Sequence, residues 1–458
     1  MVRRYACMLA VAAGLLLGLA TVSRSKGLRG KKPQGVSRIP SLFREEERIA
    51  MKEALKGAIQ IPTVSFSDEE SNTTALAEFG EYMQKVFPTL FNTSFIQHEV
   101  VGEYSHLFTV QGSDPTLQPY MLMAHFDVVP APGEGWDVPP FSGLERDGFI
   151  HGRGTLDNKN SVMAILQALK LLLIRNYIPQ RSFFIALGHD EEVSGKNGAQ
   201  KISTLLQARG VQLAFIVDEG SFILDGFVPN LKKPFAQIAV SEKGAVNLML
   251  EVNMTPGHSS APPKETSIGI LAAAVSRLEQ TPMPNMFGEG PLKIALEQLG
   301  NEFSFPINII LCNLWLFQPL VDGEKLHHQC DDKDHHSTHH VQCRGQGKCN
   351  TPKGPGHNQL PDSPCTDCPG GTYYMFRQLV QHQGGTCIGN TDSRHYTNLS
   401  TSIYRFNPLY LQPQDFSSIH GINEKISVQA YETQVKFIFE LIQNADIFQA
   451  QAPHWHEL

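Results

Sequence analysis

Four segments of this chain end in residues that can hold a cation or move a proton. His125 and Asp127 stand two apart after the apolar run "YMLMA". That spacing at a strand end puts both on one face. Asp157 follows "HGRGTL" and precedes a helical pattern, Glu191 and Glu192 follow "RSFFIALG", and Asp218 ends "LAFIVD". The carboxyl ends of strands in a parallel sheet share one edge, where ligand crevices form. One histidine and several carboxylates thus converge on one rim. Such a group of acids is costly unless cations bind it. No comparable basic cluster accompanies it, so a divalent metal is the natural partner. Imidazole with carboxylates suits zinc, and cobalt or manganese would also fit. Of two adjacent glutamates, one can bind metal while the other takes a proton from water. Any one of these acids alone would read as a helix cap or a surface charge; the pattern carries the metal reading.

The elements that must deliver these residues are legible from periodicity. Phe43 to Ala58 is amphipathic with a helical period. "YMLMAHFDVV", "RSFFIALG" and "LAFIVDEG" read as buried strands. Asn158 to Arg175 and "NGAQKISTLLQARG", closed by Gly210, read as helices. Strands alternating with helices predict an α/β fold with a mostly parallel central sheet covered on both faces. After Ser241 the texture changes. "GAVNLMLEVNM" alternates as a half-exposed strand does, and "TSIGILAAAVSRLEQ" is an amphipathic helix, as expected of a smaller α+β domain with an antiparallel sheet. A last helix is expected from Val428 to Ala445.

The 458 residues suffice for two or three domains. The net charge of −7 and the lack of Lys/Arg blocks argue against a nucleic-acid or membrane-surface partner. Arg3 and Arg4 precede an apolar run from Ala6 to Ala20, the layout of a secretory signal peptide. The run is short for a membrane span, with a signal anchor as the alternative. A soluble, secreted, extracellular protein without a membrane span is expected. Asn72, Asn92, Asn253 and Asn398 open glycosylation sequons, each a weak signal alone.

"AHFDVVP", "GRGTLDNK", "HDEEVSG", "VDEG", "TPGHSSAPP", "IGNTDSRHY" and "IHGINEKIS" together resemble the co-catalytic dizinc metallopeptidases that include aminoacylases, carboxypeptidase S and dipeptidases. The resemblance implies a zinc-peptidase-like catalytic domain in two segments, 26–240 and 387–458, after a signal peptide at 1–25. An inserted α+β lid domain, 241–386, lies between them. It implies two Zn2+ per chain. Asp157 would bridge the ions, His125 and Asp218 would complete one site, and Glu192 and His420 the other. Glu191 would be the general base, and Asp127 would orient His125. His258, in the "GHSS" turn, resembles a histidine that polarises the scissile carbonyl, often for a neighbouring subunit, which implies a homodimer through the lid. By itself it reads as a turn residue. Asn390, Thr391 and Arg394 match a substrate-carboxylate region, with a structural salt bridge as the other reading of Arg394. The implied activity is extracellular, zinc-dependent hydrolysis and reverse synthesis of N-acyl amino acids from a fatty acid and an amino acid. The alternatives are a carboxypeptidase or dipeptidase acting on short peptides, or a catalytically impaired secreted isoform.

One stretch fits none of this. "CDDKDHHSTHHVQC", Cys330 to Cys343, packs four histidines, three aspartates and two cysteines into a segment, Val321 to Thr386, that has lost all periodicity. A second zinc module is one reading, since Cys365 and Cys368 have ligand spacing, but the flanking residues form no ordered second pair. An unstructured insertion is another. The favoured reading is translation out of frame. Starting one nucleotide later, with allowed codons, Lys353 to Cys365 becomes an alternating strand with an Asn-x-Arg pattern that resembles the strand ending the lid in the family. The lid would then be incomplete.

Overall fold

The structure is a computed structural model that describes residues 38–447 except 68–69, 229–230, 232, 243–249, 253–263, 281–298, 313–342, 345–347, 350–381 and 388. The expected signal peptide, Asn253, His258 and most of Val321 to Thr386 lie outside the described residues.

The principal sheet is mixed. Its main strands are β1 (Ile96–Val101), β2 (Ser105–Val110), β3 (Tyr120–His125), β4 (Phe183–Gly188), β5 (Ile216–Asp218), β6 (Phe235–Glu242), β7 (His382–Cys387) and β8 (Ile403–Arg405). Neighbours run β6–β8–β5–β3–β4–β2–β1. β3 is parallel to both β4 and β5, and β5 to β8. These four strands form the parallel centre, and β2 and β1 continue it antiparallel. The wholly buried β3 and β4 read as unbroken apolar runs because both faces are covered. β7 pairs parallel with β6.

Among the described residues, the long helices on one face are α1 (Glu45–Ile59), α2 (Thr73–Val86), α3 (Lys159–Ile174) and the Val428–Ile447 helix. α3 is buried almost all round, so it shows little polar stripe. The helix α4 (Ala199–Ala208) packs with Tyr396 and Leu399 on the other face. A separate three-stranded sheet joins Lys425–Ser427 to Phe149–His151 and Leu144–Arg146, which ties the chain's end to the loop before Asp157. Within the segment expected to form a lid, α5 (Ser267–Gln280) forms as its pattern predicts.

Candidate metal centre

The carboxyl ends of β3, β4 and β5 carry the site, as the strand-end argument requires. His125 is the last residue of β3. Its Nδ1 lies 3.1 Å from the Asp127 carbonyl oxygen and 3.2 Å from Asp127 Oδ1. That leaves Nε2 to face the cleft, the orientation that a carboxylate gives a metal-ligating histidine. Asp127 is itself fixed. Its Oδ2 accepts from Ser65 Oγ at 2.9 Å and from the Glu192 amide at 3.2 Å, and its Oδ1 accepts from the Glu191 amide at 3.1 Å. One buried carboxylate thereby sets both the imidazole and the turn that presents the two glutamates.

Asp157 sits in the loop ahead of α3, and its two oxygens face different histidines. Oδ1 is 3.0 Å from His125 Nε2 and Oδ2 is 2.9 Å from His420 Nε2. His420 is also 3.1 Å from Glu192 Oε2. His420 adopts φ +58°, a left-handed conformation that is uncommon outside glycine and that clusters at functional sites. Residues 125, 157, 192 and 420 therefore meet although the last comes from the far end of the chain.

Two acids stand side by side at the end of β5. Asp218 is buried and its Oδ2 accepts from the Ser393 amide at 3.1 Å. The carboxylate beside His125 belongs to Glu219, whose Oε1 is 2.9 Å from Nε2. Adjacent side chains at a strand end point in different directions, and here Glu219 turns toward His125 while Asp218 is engaged by the Ser393 amide. Asp392 is buried close by. Gly188 and Gly195 admit it: a Cβ at Gly188 would lie 2.6 Å from Asp392 Oδ2, and one at Gly195, where φ is +65°, would collide with Oδ1.

The expected substrate residues fare differently. Thr391 is buried and gives its amide and hydroxyl to Glu242 Oε1 at 2.9 and 2.7 Å, a structural role. Glu242 also pairs with Arg405 at 2.7 Å. Asn390 and Arg394 are half-buried beside it. Arg394 makes no ion pair among the described residues, so the salt-bridge reading finds no partner there. Of the sequons, Asn92 and Asn398 are exposed, whereas Asn72 caps α2, accepting from the Ala75 amide at 3.2 Å.

Electrostatics identify what is missing from such a cluster. Burial pushes Glu191 and Glu219 well above the usual carboxylate range, only partly offset by His125. Burial would lower His125, but Glu219, Asp127 and Asp157 outweigh it and hold the imidazole well above its ordinary value. At His420 the Asp157 and Glu192 carboxylates likewise overcome burial and carry it to about 11. Glu192 Oε1 and Asp392 Oδ1 are buried without a hydrogen-bond partner among the described residues. Protons on the histidines thus hold together a donor set that a divalent cation would hold instead, releasing them. Two ligand groups, His125–Asp157–Glu192 and His125–Glu191–Glu219, each keep their donor atoms within 4.8 Å. The residues fit a metal.

The model of peptidase family M20/M25/M40 matches residues 121–444. The N-fatty-acyl-amino acid synthase/hydrolase of Bos taurus is 65% identical over 504 aligned residues, covering 100% of both chains. That of Homo sapiens is 62% identical over 504, again 100% of both. These alignments are longer than the chain's 458 residues, so they hold positions that this chain lacks. An M20 family metallo-carboxypeptidase of Sulfolobus solfataricus shares the fold with a TM-score of 0.52 at 16% identity, covering 88% of this chain and 100% of that one. Human carnosine dipeptidase 1 does so at 0.50 and 13%, covering 88% and 97%. The chain belongs to peptidase family M20/M25/M40, metal-dependent hydrolases that act on amide bonds.

Proposed function

We propose that this chain is a secreted, zinc-dependent amidohydrolase that cleaves and, in reverse, forms N-fatty-acyl amino acids. The observation that carries the metal half of this reading is Asp157, whose two oxygens face His125 and His420. The substrate half rests on the relatives named above, which match along the whole of both chains.

His125, Asp157, Glu192 and His420 would hold two zinc ions, with Glu219 or Asp218 completing the His125 side. When bound, zinc polarises an amide carbonyl and acidifies water. The protein's own groups do the rest. Asp127 keeps His125 Nδ1 occupied and Nε2 directed at the cleft. Glu191, on the turn whose amides Asp127 fixes, would as a carboxylate take a proton from the attacking water and return it to the leaving amine nitrogen. The same path run backward joins a fatty acid to a free amino acid. Arg394, an arginine without an acidic partner among the described residues, is suited to the substrate carboxylate, with Asn390 beside it. His258 would assist at the carbonyl, across a dimer formed through the lid.

A second reading is a catalytically impaired isoform. It is favoured by the aperiodic Val321 to Thr386 segment and by alignments to relatives that outrun this chain. The experiment is to offer the zinc-loaded chain, and a version with 321–386 restored to the shifted frame, a long-chain N-acyl-phenylalanine and a dipeptide. Acyl-amino acid cleavage by the restored chain supports the proposal. Preference for the dipeptide supports a peptidase, and no turnover by either with zinc bound contradicts an amidohydrolase.

A further inference from the structure

We propose that the buried Arg153–Glu424 pair positions the metal ligands by locking the loop that carries Asp157 to the turn that carries His420. Neither residue reaches the cleft, and the chemistry above uses neither. Their side chains are 2% and 0% exposed, and Arg153 Nη1 lies 2.7 Å from Glu424 Oε2. The second carboxylate oxygen of Glu424 gathers the ligand loop. Oε1 accepts from the amides of Gly154 at 3.1 Å, Leu156 at 2.7 Å and Asp157 itself at 3.3 Å. The Gly152 amide donates to the Glu424 carbonyl at 2.9 Å. Arg153 reaches the other way, its Nη2 donating to the Gly421 carbonyl at 2.7 Å, directly after His420. Trp136 lies against the guanidinium, 5.4 Å from Cζ to the ring centroid.

The consequence is a fixed spacing. Asp157 and His420 arrive on loops from opposite ends of the chain, and the 2.9 Å approach of Asp157 Oδ2 to His420 Nε2 holds only if both loops stay in register. A charged fork and a carboxylate that accepts from three amides of the ligand loop supply that register, as outer partners of metal ligands commonly do.

This inference rests on reading residues 125, 157, 192 and 420 as metal ligands, and the test separates the two. The full-length chain, Glu424→Gln, and the double variant Arg153→Met/Glu424→Gln are compared. The double variant avoids leaving one buried charge unpaired, which alone would be strongly destabilising. Zinc affinity is measured by competition with a chromogenic chelator, stoichiometry by elemental analysis, and folding by thermal unfolding of the metal-free proteins. The expected result is a rise of about 10–100-fold in the zinc dissociation constant for both variants, with the metal-free double variant as cooperatively folded as the parent. If the variants only unfold more readily, and their folded fraction binds zinc as the parent does, the pair is a stability element and the proposal fails while the metal site stands. A parent that binds no zinc overturns both.

Discussion

Glu191 and Glu192 are neighbours with different work. Burial raises both carboxyls, but only Glu192 meets His420, at 3.1 Å, which leaves Glu191 for the proton. Glu191→Gln should therefore lower turnover by at least ~100-fold, the scale of general-base catalysis, while zinc content measured by elemental analysis stays near the parent's. Large zinc loss would put Glu191 in the ligand set. The β5 end gives a sharper contrast. Glu219→Gln should weaken zinc binding more than Asp218→Asn, because Asp218 is already engaged by the Ser393 amide and Glu219 faces His125. Isothermal titration with zinc decides it, and the reverse order would make Asp218 the ligand, as the family resemblance implies. His125, Asp127, Asp157, Glu192 and His420 each stand inside a distinctive motif, and the structure brings them together. Which of the adjacent acids Asp218 and Glu219 turns toward His125 was not legible, because backbone direction fixes it.

The elements follow the sequence where burial is one-sided or complete. β3, β4, α3, α4 and the last helix fall within a few residues of their periodic signals. The antiparallel flank β1–β2 was not among the expected strands; Ser105 and His106 are polar yet buried in β2, which breaks the apolar run that marks a covered strand. That flank hides a titratable pair: His98 Nε2 lies 2.8 Å from His106 Nδ1. Burial, helped by His98 and His189, lowers His106 from 6.5 to about 3. An unfolded chain binds this proton more readily than the folded one between those values, so stability falls as pH drops through that window. The slope should approach ~1.4 kcal/mol per pH unit for one proton. Urea unfolding of metal-free protein at several pH values should show His106→Asn with a shallower loss on acidification, despite lower stability at neutral pH. Parallel curves would mean that His106 is not the group.

At the scale of the molecule, the fold assembles one site from segments that precede and follow the expected lid. The metal half is intact in sequence on either side of Val321 to Thr386. The lid is where sequence reading stops, because a segment without periodicity specifies no element. On α5, Ile268 and Leu278 are 64% and 50% exposed, apolar surface that a complete lid would be expected to cover. This chain should accordingly hydrolyse N-acyl amino acids at least ~100-fold more slowly than its frame-restored version, since misplacing substrate by about 1 Å can cost that much. Limited proteolysis should cut its lid first. Equal activity and equal resistance would make the His/Cys-rich stretch a genuine structural element.

Metal binding can be measured independently of the lid. Elemental analysis of the purified chain and of Asp157→Ala, after dialysis against trace zinc, tests the bridged centre most directly. Two zinc ions per parent chain are expected, with both lost from the variant because one carboxylate serves both histidine sides. A parent without bound zinc, or a variant that keeps both ions, would contradict it.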